Sequence, residues 1–335
     1  MKTNILSRVT LIIACVGVLF ACNKNNAGNQ ASSPTSTADM QTQADDESQV
    51  SNESDLLVND ANTALNSQTA IAGNSLSASG SSATTTVMGT EGNGTPGILG
   101  NLICDATVVV NDTSNPRTIT ITYNGTNCWG NRTRTGVVVI SIPAGIHWRD
   151  KGATVTIDVE NLTITRLRDM KTIVLNGTKT ITNVSGGLLV DLATLGSITH
   201  TISGSLSILF QNGTQRDWNI SKQRVFTYDD GVVITTTGTH SDSLGNNNVA
   251  EWGTTRFGLE FESLITQAKV IRQDCDYRLV SGQNEILLSN GASLIITYGL
   301  DAEGNPTSCP GTGTYYFKVV WTNANGVTIT KILPY

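Results

Sequence analysis

The residues best suited to ligand chemistry lie in the stretch EWGTTRFGLEFE, Glu251 to Glu262. Successive side chains of a strand point to opposite faces, so the spacing that buries Phe257, Leu259 and Phe261 sends the alternate residues outward. The outward residues with binding chemistry are Trp252, Arg256, Glu260 and Glu262. A flat aromatic ring beside groups that donate and accept hydrogen bonds is suited to stacking on a sugar. This face is therefore a candidate glycan-binding surface, although an indole packed against a neighbouring strand or loop is the favoured interpretation.

Catalytic signatures are absent from the sequence. It contains no G-x-S-x-G, no H-E-x-x-H and no phosphate loop following a strand. Carboxylates two residues apart occur at Asp158 with Glu160 and at Glu260 with Glu262. Glycoside hydrolysis uses two carboxyl groups about 5–9.5 Å apart. Apolar residues occupy the opposite face in both strands, so we interpret these acids as solvent-facing and expect no catalytic activity.

The first residues have the layout of a signal peptide, residues 1–21. Lys2 and Arg8 precede an apolar run from Val9 to Ala21, and the chain turns polar at Asn23. This run is shorter than the roughly 20 residues that a helix needs to cross a bilayer. A cleaved or processed leader is therefore favoured over a permanent membrane span.

Two segments in this region, IIAC ending at Cys15 and LFAC ending at Cys22, resemble the lipobox of bacterial lipoproteins. Cleavage at Cys22 leaves an apolar core of the expected length and a polar mature start, so we favour Cys22. The resemblance implies that Cys22 becomes the new N-terminus and carries acyl chains that anchor it to a membrane. The same resemblance implies the outer membrane, because the residue after Cys22 is Asn23 and not the aspartate that retains such lipoproteins at the inner membrane; which face of the outer membrane the protein would occupy stays open.

Four further cysteines are Cys104, Cys128, Cys275 and Cys309. Disulfides are expected after export to an oxidising envelope. Hairpin geometry pairs Cys104 with Cys128 and Cys275 with Cys309, since each pair brackets a predicted strand pair. No two of them have C-x-x-C spacing, and the three histidines are scattered, so we expect neither a metal site nor a cofactor.

Residues 22–100 are predicted to form a lipid-anchored, disordered tether. The segment is rich in Ser, Thr, Asn, Ala, Gln and Gly, has no aromatic residue, and carries one lysine against eight acids. Such a composition does not bury enough apolar surface to offset its conformational entropy. Its net charge is −7, whereas residues 101–335 are near neutral at −1. A near-neutral domain without a basic face argues against nucleic acid as a partner.

Residues 101–335 are predicted to be an all-β domain. Runs such as RTITITY and ATVTIDV alternate at period two, and six Asn-Gly or Asp-Gly pairs predict hairpin turns. These pairs are Asn124-Gly125, Asn176-Gly177, Asn212-Gly213, Asp230-Gly231, Asn290-Gly291 and Asn325-Gly326. We expect twelve to fifteen strands in an antiparallel meander, arranged as a two-sheet sandwich or as a curled, half-barrel-like sheet. If the domain consists of two fused halves, we expect the boundary between them near residues 186–198, where a short helix or covering loop fits.

These features predict a lipid-anchored cell-envelope β-protein that acts as a binding or structural surface component. The alternative is a glycan-binding or glycan-processing accessory lipoprotein, and display as an adhesin is a third reading. Partners would be the membrane, reached through the lipid, and a glycan or another envelope protein. The motif from Asp242 to Leu244, which contains Ser243, resembles a short O-glycosylation signal, although an ordinary turn is the favoured interpretation.

Overall fold

The computed structural model describes residues 37–73, 86–87, 103–243, 245–275, 277–307 and 314–334. The helices are α1 (Thr37–Ser67), α2 (Thr69–Ala72) and α3 (Leu192–Leu195), with 3₁₀ turns at Leu189–Asp191 and Gln273–Cys275. The strands are β1 (Thr86–Val87), β2 (Ala106–Asn111), β3 (Arg117–Thr126), β4 (Arg132–Ile142), β5 (Ala153–Arg166), β6 (Lys171–Asn183), β7 (Ser197–Phe210), β8 (Gln215–Tyr228), β9 (Val232–Gly238), β10 (Val249–Thr254), β11 (Glu260–Arg272), β12 (Arg278–Leu288), β13 (Ser293–Leu300), β14 (Tyr316–Thr322) and β15 (Thr328–Pro334).

All fifteen strands belong to one antiparallel sheet, which confirms the predicted all-β meander. Neighbours along the chain pair almost throughout. The exception is the region of β8 and β11, where β9 and β10 each pair with both strands. The described strands thus form a single sheet instead of the two sheets of a sandwich.

The sheet curls around α1. Side chains of α1 reach strands from β4 to β11, and its N-terminal turns lie against β14 and β15. The turn between β5 and β6 also meets the last strand, where Arg168 donates a hydrogen bond to the Pro334 carbonyl at 2.7 Å. A flat sheet of this width would hold these strands far apart, so curling brings them together.

Alternation along the strands gives the sheet one buried face. In β8 buried residues alternate with exposed or half-buried ones, and the apolar members of the buried set are Trp218, Ile220 and Phe226. The cations Arg216, Lys222 and Arg224 are buried on the same face. Trp321 of β14 is likewise buried. The inner face therefore forms the core together with α1, and the outer face carries Thr, Ser and Asn.

Two of the six predicted turns are wrong. Asn124-Gly125 lies within β3 and Asn176-Gly177 within β6, whereas the other four pairs do connect strands. Gly177 has φ +132°, and a Cβ there would lie 2.3 Å from the Ser205 carbonyl oxygen of the adjacent strand. Glycine at this position permits a close backbone approach in the curled sheet, so an Asn-Gly pair does not by itself specify a turn.

The predicted tether is corrected for residues 37–67, which form the 31-residue helix α1 with most of its side chains buried. The composition argument considered only the apolar surface of the segment itself. Ordering comes instead from partners that the sheet supplies, including cations and the apolar residues around Leu57, Val58 and Leu65. Beyond the C-terminal end of α1, the Ile71 carbonyl of α2 accepts a hydrogen bond from the Trp148 backbone N–H at 2.8 Å.

The segment 186–198 contains a 3₁₀ turn and α3, as the lapse in alternation predicts. It does not divide the sheet, because β6 and β7 pair continuously from Ile173 with Phe210 to Asn183 with His200. Cys104 and Cys128 form the predicted disulfide, with Cα atoms 5.2 Å apart. Cys275 is buried, and Cys309 lies outside the described residues, so the second bridge stays a prediction.

Candidate functional site

The candidate ligand site is a cleft of about 400 Å³ on the outer face of the sheet, which we call the Trp252 cleft. Its lining comprises Asn246, Trp252, Gly253, Thr254, Glu260, Phe261, Glu262, Leu287, Leu288 and Ser289. Register explains the grouping, since Trp252 of β10 pairs with Glu262 of β11, which pairs with Leu287 of β12. Directly paired residues have Cβ atoms about 4.5–5.5 Å apart, so ring, carboxylate and aliphatic side chain form one row.

The indole of Trp252 is half-buried and held by a second ring. His240, in the connection between β9 and β10, stacks on it with centroids 4.2 Å apart and planes 17° apart. The connection is fixed beside β10 because His240 and Val249 form a β-bridge. Trp252 also lines the cleft, so the stacked ring is positioned before any ligand arrives.

Polar groups of the cleft are mainly hydrogen-bond acceptors. Asn246 donates to Oε2 of Glu262 at 3.1 Å and to Oδ2 of Asp242 at 2.7 Å, which ties the connection to β11. Partial burial raises the pKa of Glu262, and interaction with Asp242 acts in the same direction. Glu260 is exposed at the other side of the cleft. With carboxylates and no Lys or Arg in its lining, the cleft favours neutral or cationic ligands over anions.

The structure brings together three of the four predicted residues, namely Trp252, Glu260 and Glu262. Arg256 lies elsewhere, with its Nη2 2.5 Å from Oδ1 of Asp46 on α1 and its guanidinium 3.9 Å above the Phe210 ring. The reason is that β10 ends at Thr254 and residues 255–259 form a loop. Strand parity holds only while a strand is continuous, so it does not carry through the loop to Arg256.

A second cluster of functional groups, which sequence reasoning missed, lies between α1 and the inner face of the sheet. We call this inner face, with its cations, the basic trough. Six carboxylates of α1 form ion pairs with it: Asp45 with Arg166 and Lys171, Asp46 with Arg256, Glu47 with Arg216, Glu53 with Arg132, Asp55 with Lys222 and Arg224, and Asp60 with Arg134. Lys179 and Lys269 are also buried there, and their Nζ atoms contact Ser54 and Ser51 of α1.

Electrostatics differ along the trough. Burial would raise the pKa of Asp55, but Lys222 and Arg224 hold it well below its ordinary value. Burial raises the pKa of Glu47 to about 7 and that of Asp46 to about 6, although Arg216 and Arg256 oppose this. Burial also lowers the pKa of Lys179 to about 7. The trough thus pairs many charges, but for Asp46, Glu47 and Lys179 the free-energy cost of dehydration exceeds the gain from pairing.

A signal for the trough is present in the strands. Lys222 and Arg224 share the parity of Ile220 and Phe226, which face the core. Charged residues are almost never fully buried unless they are paired. Cations at core positions therefore require acidic partners, and the most acidic segment of the sequence is the one that became α1.

Several predictions fall on other parts of the chain. Cys15, Cys22 and the signal peptide lie outside the described residues. No helix within the described ranges is long and apolar enough to cross a membrane. Ser243 is exposed in a turn. Within the same ranges, no group of three or more His, Cys, Asp or Glu residues is arranged to hold a metal ion.

No protein family matches the chain, and neither a curated protein nor a solved structure matches it.

Proposed function

We propose that this protein is a lipid-anchored cell-envelope protein that binds a carbohydrate through the Trp252 cleft. The observation that carries the proposal is the row of Trp252, Glu262 and Leu287, which combines an open aromatic surface with hydrogen-bond acceptors in one concave site. A volume of about 400 Å³ lies within the usual range of roughly 300–1,000 Å³ for ligand sites.

The chemistry of the cleft favours a class of sugar. Sugar C–H groups would stack on the indole, and hydroxyl groups would donate to Glu260 and Glu262. Carboxylates repel anionic sugars such as sialosides and attract protonated amino sugars. Neutral and amino sugars are therefore the proposed ligands.

The test compares the mature chain with Trp252→Ala on a glycan array, followed by calorimetry on the sugars that bind. Loss of one stacked aromatic side chain commonly costs about 1–3 kcal/mol, so affinity should fall at least several-fold while the fold is retained. Trp129→Ala is the matched control, because Trp129 is also half-buried but lies in the turn between β3 and β4. Unchanged affinity in Trp252→Ala, together with a lowered melting temperature, would assign the ring a packing role only.

Anchoring is tested separately by metabolic labelling with a fatty acid. Cys22→Ala should abolish labelling and release the protein from the membrane fraction, whereas Cys15→Ala should change neither. Labelling that survives loss of Cys22 would reject the assignment.

Glycan processing is a second candidate, favoured by the raised pKa of Glu262 beside Glu260. Residues two apart on one strand have Cα atoms about 6–7 Å apart, which is compatible with an acid and base pair. Release of reducing sugar from a bound glycan, lost in both Glu260→Gln and Glu262→Gln, would establish it. Binding without release in the unmodified protein would favour the binding role.

A further inference from the structure

Helix α1 is unusually polar for a helix enclosed by a sheet, and its apolar residues, such as Leu57, Val58 and Leu65, form only a weak apolar face. It contains seven acids and no basic residue, and six of those acids pair with the trough. A helix with so weak an apolar face is seldom stable by itself. Its order therefore depends on the surface that receives it.

The receiving surface matches α1 along most of the helix. Asp45 and Glu47 pair with cations near one end of the strands, and Asp60 pairs with Arg134 more than three helical turns further on. The paired cations come from four strands and one loop, so no local sequence segment supplies the match. The sheet as a whole forms a binding site for an acidic helix.

The inner face combines buried cations with apolar residues such as Trp218 and Phe226. Buried ion pairs gain little net stability, because dehydration of both charges offsets much of their attraction. The buried cations of this face would regain hydration if α1 left, whereas its apolar residues would be exposed to water at a cost in free energy. Departure of α1 is therefore less unfavourable than the buried area alone suggests, although Leu57, Val58 and Leu65 oppose it.

Chain length permits exchange between copies. The trough extends along a helix of 31 residues, or about 46 Å. The connection from Gly73 to β1, which pairs with β2, can span roughly 45 Å when extended, about the length of the trough itself. This reach allows α1 to enter the trough of a directly adjoining copy while β1 remains paired in its own sheet.

We propose that the basic trough is a receptor for an acidic helix, and that α1 of a second copy of this chain can occupy it in place of the resident α1. Exchange of an identical element is a well-known route to dimers, because every contact of the closed monomer is re-formed between copies. The inference goes beyond carbohydrate binding and does not depend on the Trp252 cleft.

On a membrane, exchange would link anchored copies of the protein. This consequence rests on the proposed lipid at Cys22. Only residues 23–36 separate that cysteine from α1. The lipid of one copy would then hold the sheet of its neighbour, and anchored copies would be linked through their helices.

The test uses the mature chain with a specific protease site inserted between residues 74 and 84, outside the described residues. After cleavage, α1 is held to the sheet by non-covalent contacts alone. Unlabelled and ¹⁵N-labelled cleaved proteins are mixed, and native mass spectrometry follows complexes that combine the helix fragment of one with the sheet fragment of the other. Far-ultraviolet circular dichroism checks that the sheet remains folded.

We expect mixed complexes to form in 0.1 M NaCl and to form faster in 0.5 M NaCl, because salt stabilises the separated charges. Glu53→Gln, which removes the 2.6 Å ion pair with Arg132, should accelerate exchange at least tenfold. Asn52→Ala is the matched control at the neighbouring half-buried position and should change the rate little.

Helix fragments that never mix while the sheet is folded would overturn the proposal, as would release only at the denaturant concentration that unfolds the sheet. Either result would make α1 an integral part of the core. A rate unaffected by Glu53→Gln would show that the ion pairs do not control docking. Glycan binding is measured separately, so failure of one proposal leaves the other testable.

Discussion

Arg134→Met should be among the most destabilising single substitutions outside the apolar core. The Arg134 guanidinium meets both oxygens of Asp105 at 2.6 and 2.7 Å and Oδ2 of Asp60 at 2.6 Å. It also lies 4.3 Å above the ring of Tyr123, whose hydroxyl donates to Asp60 at 2.8 Å. One cation thus pairs with two buried carboxylates.

The loss of unfolding free energy follows from leaving those two carboxylates without their cation. Removal of one member of a buried ion pair typically costs about 3–5 kcal/mol, because the remaining charge is still dehydrated. At about 2 °C per kcal/mol for a chain of this size, the melting temperature should fall by roughly 6–10 °C. Arg134→Lys should restore only part of the loss, since an ammonium does not reproduce the two-pronged contact with Asp105.

The loss should depend on pH. Burial raises the pKa of Asp60 even beside Arg134, and removal of the cation should raise it further. The folded variant would then hold protons that the unfolded chain has released, so its unfolding free energy increases as pH falls. The difference in unfolding free energy between the unmodified protein and Arg134→Met should therefore become smaller as the pH falls from 7.5 to 5.

Urea unfolding followed by circular dichroism measures both effects. Arg272→Met is the matched control, because Arg272 also pairs with two carboxylates, Asp229 and Asp274, but at the surface. Its effect should be much smaller, since exposed pairs contribute little. A loss below about 1 kcal/mol for Arg134→Met, or equal losses for the two variants, would refute the reasoning.

Three further outcomes are expected. Lys179→Met should stabilise the protein most at or below pH 7, because burial lowers the pKa of Lys179 to about 7 and the charged amine is then dehydrated in the folded protein; the gain should shrink towards pH 10, where the buried amine is neutral. Urea midpoints at pH 6.5 and 9.5 would test this, and a gain in stability that grows with pH would contradict it. Gly177→Ala should cost more than Gly213→Ala in the same assay, because both have positive φ but only at Gly177 would a Cβ meet backbone atoms; equal costs would remove the close-approach argument. Replacement of Cys104 and Cys128 by serine should lower stability by about 3–4 kcal/mol through loss of loop closure, and unchanged denaturant midpoints with and without the bridge would oppose this estimate.

Local periodicity predicted the sheet well because each hairpin is a local structure. Alternation in β3, β5 and β6 specified the buried face, and Trp218 and Trp321 share the parity of their buried neighbours. The pairing of Trp252 with Glu262 likewise follows from one hairpin. Features that depend on residues close in sequence were therefore accessible without a structure.

Pairing between residues far apart in the sequence could not be predicted in the same way. Asp55 and Lys222 are 167 positions apart, and neither a helical nor a strand pattern of one segment indicates the other. Helix α1 has weak apolar patterning, so composition favoured disorder. Arg256 was misplaced because the strand ended two residues earlier, a boundary that parity does not reveal.

The most direct test of carbohydrate binding at the Trp252 cleft is a ¹H–¹⁵N spectrum of the tryptophan indole groups during titration with chitosan trisaccharide. The sequence has five tryptophans, and Trp→Phe variants assign their signals. The proposal predicts a saturable shift of the Trp252 indole signal, with Trp148, Trp218 and Trp321 unchanged because they are buried. Sialyllactose, N-acetylated chitotriose and maltotriose are titrated in parallel, and sialyllactose should give no shift. An unmoved Trp252 signal with all three non-anionic sugars, or an equal response to sialyllactose, would contradict the proposal.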